Sequence, residues 1–364
     1  MKDIEILIIG GGPAGLSAAV AAADLGAKVL VVERDEKPGG QLVKQTHKFF
    51  GSKKQYAGDR GFQIGNLLIE QCAQNPKIEV WNDTTALGIY EDGVVTAEQQ
   101  GRHLKINPRK IIVATGASEK MIPFPNNDLP GVYGAGAVQT LMNVHGIVPG
   151  QRVLMVGAGN IGLIVSYQLM QAGVEIAAII EAAPTIGGYL VHASKVRRAG
   201  VPILTSHTIR EAYGADTVEG AIISQLDENW QPISGTEQDL KVDVICLAVG
   251  LSPLTELCFQ ADCRMKYVPE LSGHVPIRNE SMETTRPGLY VAGDVSGVEE
   301  ASSAMVEGRL AGICAAYSLG YGEDLAPKLQ REAQAELREL RSGPAGQKTL
   351  AGLAKLMEKG EAAC

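Results

Sequence analysis

The chain has 364 residues, room for two domains or for one domain carrying a large insertion. Hydrophobic residues make up 45%, enough for a sizeable core, which excludes wholesale disorder. A net charge of −8, a pI near 5.4 and the lack of any basic run exclude a nucleic-acid partner.

In chain order, an apolar strand pattern, IEILIIGGG, begins almost at once. With no charged-then-apolar leader ahead of it, no signal peptide is expected. No apolar stretch is long enough to span a bilayer. The six cysteines (Cys72, Cys246, Cys258, Cys263, Cys314 and Cys364) are scattered and form no CxxC. Neither zinc nor an iron–sulfur cluster finds a ligand set, so no metal is predicted, and a reducing, cytoplasmic setting fits best.

The first motif is IEILIIGGGPAGLSAAVAAADLGAKVLVVERDEKPGG. A strand ends in Gly10-x-Gly12-x-x-Gly15, Pro13 and Ala14 open an Ala-rich helix, and a second strand ends at Glu33. Gly10 permits the tight turn, Gly12 lets backbone approach a pyrophosphate, and Gly15 lets the helix lie close on the strand. Phosphates suit the helix N-terminus, where unpaired N–H groups and the macrodipole favour negative charge. Glu33 is placed to accept hydrogen bonds from ribose hydroxyls.

The same device returns as QRVLMVGAGNIGLIVSYQLMQAGVEIAAIIEAAPTIGG. Gly157, Gly159 and Gly162 follow their counterparts by 147 residues, and Glu181 and Gly187-Gly188 follow theirs by 148. One GxGxxG is weak evidence; two in strand–turn–helix context, each with an acid on the next strand, predict two βαβ nucleotide units. Glu181 would accept the adenosine ribose 2′-OH of NAD and repel a 2′-phosphate, so NADH is expected over NADPH. Arg197 and Arg198 come later, at the end of the next helix pattern, and the reading in which they meet a 2′-phosphate stays open. The competing reading, that one glycine set only eases helix packing, weighs more on the second copy than on the first.

Between and after these units, KIIVATGA (110–117), VDVICLAVGLSP (242–253) and RPGLYVAGD (286–294) read as short buried strands ending in glycine. Residues 78–106 read as a small antiparallel meander turning at Asp92-Gly93. From Glu323 onward the chain reads as two short amphipathic helices broken at SGPAG, either a clamp on their own domain or a docking arm.

The residues GGGPAG, Glu33, GGQ, ATGA, GAGNIG, Glu181, AVG and YVAGD resemble the two-dinucleotide-binding flavoproteins, the pyridine nucleotide–disulfide oxidoreductase superfamily of thioredoxin-reductase size. The resemblance covers about residues 4 to 320. It implies an α/β fold of two Rossmann-like, three-layer ββα domains with the second inserted in the first. Residues 1–117 and 272–325 would bind FAD, 118–271 would form the NAD(P)-type domain, and 326–364 a helical tail. It implies that Gly10, Gly12, Pro13, Ala14, Gly15 and Glu33 hold the ADP half of FAD, with Gly40 and Gln41 toward the flavin. Thr115, Gly116, Gly293 and Asp294 would complete that site, Asp294 at the ribityl hydroxyls. Ala301 and Ser302 would open the helix that faces the flavin pyrimidine. NAD or another adenine nucleotide would lie on Gly157, Gly159, Asn160, Ile161, Gly162, Glu181 and Gly250.

Two departures bear on function. The family's larger disulfide reductases carry CxxxxC after the first GG, where this chain has Gln41-Leu42-Val43-Lys44-Gln45. Thioredoxin reductases carry CxxC where this chain reads LPGVYGAGAVQTLMNVHG (129–146). Thiol–disulfide reduction is therefore excluded, and Cys258 and Cys263 read as buried fillers. The phrase ATGASEKMIPFPNNDLPGVYGAGAVQTLM more closely resembles the FAD-binding alpha-type subunits of dye-linked amino-acid dehydrogenases, sarcosine oxidase and hydrogen cyanide synthase. That resemblance implies hydride or electron transfer between NAD(H) or a small amino-acid-like substrate and a partner redox protein, either an iron–sulfur protein or a second flavoprotein. The other arrangement is a homo-oligomer. A stand-alone NADH-dependent flavin reductase and a non-catalytic nucleotide-binding subunit remain as alternatives. Lys44 and His47 are candidates to supply charge or a proton beside the flavin, against the reading of a solvated polar loop.

Overall fold

A computed structural model describes residues 1–49 and 53–356; residues 50–52 and the tail end 357–364, with Cys364, lie outside it. The described helices are α1 (Pro13–Asp24), α2 (Gly61–Gln74), α3 (Ala135–Asn143), α4 (Asn160–Gln171), α5 (Leu190–Arg198), α6 (Glu256–Gln260), α7 (Ala301–Tyr317), α8 (Ala326–Leu340) and α9 (Gln347–Leu356). The chain divides into two compact units, 1–118 with 252–364, and 119–251.

In the first unit, strands Ile78–Trp81, Val29–Val32, Lys2–Ile9 and Arg102–Val113 lie side by side and parallel, and Leu289–Val291 pairs with the far end of Arg102–Val113. The near end of Arg102–Val113 continues into antiparallel partners Val95–Gln99 and Thr84–Ile89. Side chains alternate across a strand, and both faces are covered. Ile6 and Ile8 pack under α1, α2 and α7, while Leu7 and Ile9 pack against the meander residues Ile89, Val95 and Ala97. The result is a helical layer, a parallel sheet and an antiparallel layer. The meander turns where expected, with Gly93 at φ +84°, but Ile78–Trp81 belongs to the parallel sheet.

The second unit repeats this plan. Strands Ile203–Thr205, Glu175–Glu181, Arg152–Val156, Val244–Leu247 and Val132–Gly134 form an all-parallel sheet. Val153 and Met155 face the helical layer, whereas Leu154 and Val156 face Ile209, Ala221 and Ile223 of a second antiparallel sheet, His207–Tyr213, Gly220–Gln225 and Gln238–Leu240. Sequence reading missed this second meander because Gly214 and charged residues interrupt its alternation.

One expected boundary shifts. Residues 252–271, assigned from sequence to the inserted domain, lie with the first unit: Cys258 and Ala261 join the core under the meander, and Gln260 Oε1 accepts the Ile89 amide at 2.9 Å. The tail packs on its own unit, as the clamp reading expects. Its helices form where expected, Ala333 and Leu337 of α8 are buried in the same core as α1 and α7, and Leu353 and Leu356 of α9 pack near Leu271 and Val275.

Candidate functional site

The two glycine turns share one geometry. Gly10 stands at φ +108° and Gly157 at +109°, a region open to glycine. A Cβ on either would lie 2.3 Å from a carbonyl oxygen, of Ala114 or of Ala248. Gly15 and Gly162 bring α1 and α4 so close that a Cβ would lie 1.8 or 2.0 Å from the oxygen of Gly10 or Gly157. Each acid is fixed by two amides. Glu33 accepts from Gly11 at 2.7 Å and Asp35 at 2.9 Å; Glu181 accepts from Ala158 at 2.8 Å and Ala183 at 3.0 Å. Burial raises the pKa of Glu33, and these amide bonds oppose the rise.

Neither α1 nor α4 has a side-chain N-cap or an acid in its first turn, so their first N–H groups face outward without a protein acceptor from the cap. The space in front is open: a Cβ on Gly12 would meet only Gly40 Cα at 3.9 Å, and one on Gly159 would meet nothing within 4 Å. A pyrophosphate fits such a bare N-terminus, and each carboxylate keeps lone pairs for a ribose hydroxyl.

In the first unit other expected residues converge on the α1 turn. Gly39 donates to Gly11 O at 2.7 Å, setting Gly40 against Gly12. Gly293, at φ +76°, lies so near that its Cβ would be 2.9 Å from that of Ala14 and 3.5 Å from that of Ala304 on α7. Asp294 follows, its Oδ1 accepting the Glu299 amide at 3.3 Å. α7, opening at Ala301 and Ser302, also lacks a side-chain cap. Thr115 does something else: its hydroxyl donates to Leu254 O at 2.7 Å, and Gly116 O accepts the Leu254 amide. In the second unit Gly250 O accepts the Lys120 amide, while Asn160 Oδ1 accepts the Tyr189 amide and Ile161 is exposed. Gln41 and Lys44 lie on a 3-10 turn, Gly40–Lys44, and His47 stacks on Phe49 at 5.9 Å.

Sequence reading missed two sets of residues. A buried network, Arg278, Glu299, Glu307 and Arg341, lies under the Gly293–Asp294 turn. Glu119 accepts from the Gly136 and Ala137 amides and so caps α3, the helix in the cysteine-free stretch 129–146. Cys258 and Cys263, read as buried fillers, are both buried in one core, where a hydrogen bond from the Cys258 thiol lowers the pKa of Cys263. The partners in the network and in the α3 cap are well separated in sequence, and no local signal announces them.

Two units of this design define a nucleotide-binding oxidoreductase of the flavoprotein class. The chain belongs to the pyridine nucleotide-disulphide oxidoreductase family, whose profile matches residues 4–308. It is 30% identical over 330 residues to one of the subunits of opine oxidase from Agrobacterium tumefaciens (strain Ach5), covering 85% of this chain but 65% of that one. It is 29% identical over 268 residues to the alpha subunit of sarcosine oxidase from Rhizobium meliloti (strain 1021), covering 70% of this chain and 25% of that one. The chain thus spans less than two thirds of the length of these relatives. Its fold is similar to the thioredoxin reductase of T. acidophilum, with a TM-score of 0.72 and 20% identity over 88% of this chain and 99% of that one. No described helix is long and apolar enough to cross a membrane.

Burial, reinforced by the nearby Glu307 and Glu299 charges, pushes the Asp294 carboxyl up to about 6 against the Glu299 amide bond. A raised carboxyl pKa means the folded state holds a proton that the unfolded chain releases near pH 4. Stability from this group is therefore present below about pH 4 and lost as pH rises through about 6. Asp294→Asn should stabilise the cofactor-free protein at pH 7 by about 1–2 kcal/mol, since water still reaches part of the residue. Thermal melts at pH 4 and pH 7 check this; the gain should vanish at the lower pH, and a pH-independent difference would contradict it.

Proposed function

We propose that the protein is an FAD-dependent oxidoreductase in which the first unit holds FAD and the second holds NAD(H). The observation that carries this reading is the pair of matched turns, each with an open helix N-terminus and an amide-clamped acid. A duplicated fold that had shed its second ligand would not need Glu181 held in the same way as Glu33.

When bound, FAD supplies a two-electron centre that accepts hydride. The chain's own groups position and screen. The α1 N-terminus and Gly12 cradle phosphate charge, and Glu33 takes ribose hydroxyls with the lone pairs its amides leave. Asp294, on the turn beside Ala14, takes hydroxyls of the ribityl chain. The uncapped α7 N-terminus, at Ala301 and Ser302, lends its dipole to negative charge nearby. In the second unit Gly157, Gly159 and Gly162 shape the cradle, and Glu181 selects a free ribose 2′-hydroxyl. Lys44 and His47, beside Gln41, are the groups from which we infer a proton or charge at the flavin edge.

The relatives are named as subunits, which supports a partner redox protein and a small amino-acid-like substrate for the assembled enzyme. Without the CxxC of a thiol reductase, electrons pass to that partner or to a diffusible acceptor.

Anaerobic mixing tests the reading. NADH should bleach the flavin band at least tenfold faster than NADPH, and Glu181→Ser should cut the preference about tenfold, equivalent to about 1.4 kcal/mol. Failure of both nucleotides to bleach a flavin that dithionite reduces would overturn the NAD(H) assignment.

A further inference from the structure

The loop from Gly293 to Glu299 is held at both ends by one side chain from the C-terminal arm. Glu307 of α7, 2% exposed, takes four hydrogen bonds. Its Oε2 accepts from the Gly293 amide at 3.0 Å and the Ser296 hydroxyl at 2.8 Å, and its Oε1 from Arg278 at 2.8 Å and Arg341 at 2.6 Å. Arg341, just past α8 and 7% exposed, also donates through Nε and Nη2 to Glu299. The Glu299 amide in turn donates to Asp294 Oδ1. One guanidinium thus closes a ring: through Glu307 it reaches the residue before Asp294, and through Glu299 it reaches Asp294 itself.

The charges explain why this needs arginine. Glu299, Glu307 and Asp294 are three acids within one buried cluster; Arg278 and Arg341 pair with the first two, and Asp294 has no cation of its own. Arg278 meets Glu307 but leaves its Nε without a partner. Arg341 touches both acids through Nη2 and adds Nε to Glu299, and this two-nitrogen grip on one carboxylate is what a guanidinium fork offers and an ammonium does not.

We propose that Arg341 is a positioning residue for the FAD site, so that the C-terminal arm is part of the machinery that presents Asp294. This rests on the assignment of FAD to the first unit. Removing the guanidinium leaves Glu299 without its cation and Glu307 with Arg278 alone, so the Glu299 end of the loop, which bonds Asp294, is released while Glu307 still holds Gly293 and Ser296.

The test is reconstitution. FAD is stripped from the full chain and titrated back, following quenching of FAD fluorescence and the visible circular dichroism of bound flavin. Arg341→Met should weaken FAD binding at least tenfold and alter the dichroism. Arg341→Lys, which keeps the charge but loses the fork, should also weaken it several-fold. Arg309→Met, which cuts another arm contact, to Glu336, should bind FAD as the wild type does. In the wild-type chain, FAD should slow amide exchange in residues 337–343 as well as in 293–300, a readout that needs no variant to fold. Wild-type affinity and dichroism in Arg341→Lys, or FAD protection confined to 293–300, would overturn the proposal while leaving the FAD assignment intact. A wild-type chain that takes up no FAD would overturn that assignment and this inference with it.

Discussion

Replacing Glu307 by leucine should lower the stability of the protein by about 3–5 kcal/mol, the cost of breaking a buried ion pair by removing one partner. The change strands Arg278, which is 8% exposed and paired through that carboxylate, and deprives Arg341 of one of its two acids. It also leaves the Gly293 amide and the Ser296 hydroxyl without their buried acceptor. Burial alone would raise the Glu307 pKa, but Arg278 and Arg341 hold it below the ordinary carboxylate range. A depressed carboxyl contributes stability that is present above its unfolded pKa and lost as pH falls through the folded value. The penalty should therefore be full at pH 7 and shrink below about pH 4. Urea unfolding at both pH values checks it. Glu332→Leu, breaking an exposed pair with Lys328 on α8, serves as the control and should cost under about 1 kcal/mol. A loss that small at Glu307 would mean the arginines recover water, and the network would then hold nothing in place.

Gly308→Ala should be as damaging, for a reason of space alone. Where α7 crosses α1, a Cβ on Gly308 would lie 2.0 Å from Ala14 O, and one on Gly312 would lie 2.3 Å from Ala18 O. The obstructing atoms are helix backbone, which cannot step aside as a side-chain tip can. Either α7 or α1 must move, at a cost above about 3 kcal/mol, beyond the ordinary range for overpacking because no rotamer change relieves it. α1 begins at the glycine turn, so its displacement should also reduce the amount of FAD that copurifies. Gly343→Ala is the matched control, since a Cβ there meets nothing within 4 Å. Melting temperatures and flavin content of the two variants decide the matter; equal melting would show that the helices can separate freely.

Much of this architecture could be read from the chain. Spacing and residue type exposed both βαβ units because the turn needs glycine at three positions whatever surrounds it, and the acid needs to end the second strand. The same local logic located the Asp92-Gly93 turn and the break between α8 and α9. The network was hidden because Arg278, Glu307 and Arg341 meet only when the sheet, α7 and the arm are assembled, and a charged residue inside a helix pattern looks like a solvated one. Glu307 shows this best: it sits in EGRLAG, where the glycines and apolar residues draw attention away from it. The boundary at 252 was hidden for a related reason, because α6 is too short for periodicity and its place is set by Gln260 reaching Ile89.

The bonds from Leu254 to Thr115 and Gly116 have a consequence for how the chain folds. The first sheet is complete only when Leu289–Val291 docks on Ile111–Val113, and residues 119–251 lie between them in sequence. If that stretch were slack, closing so long a loop would cost conformational entropy before any contact repaid it. Once the second unit has folded, its own two ends have little freedom left, and the search by the late strand is shortened. The inserted unit then acts as an internal staple, and the order of events would run from the middle of the chain outward.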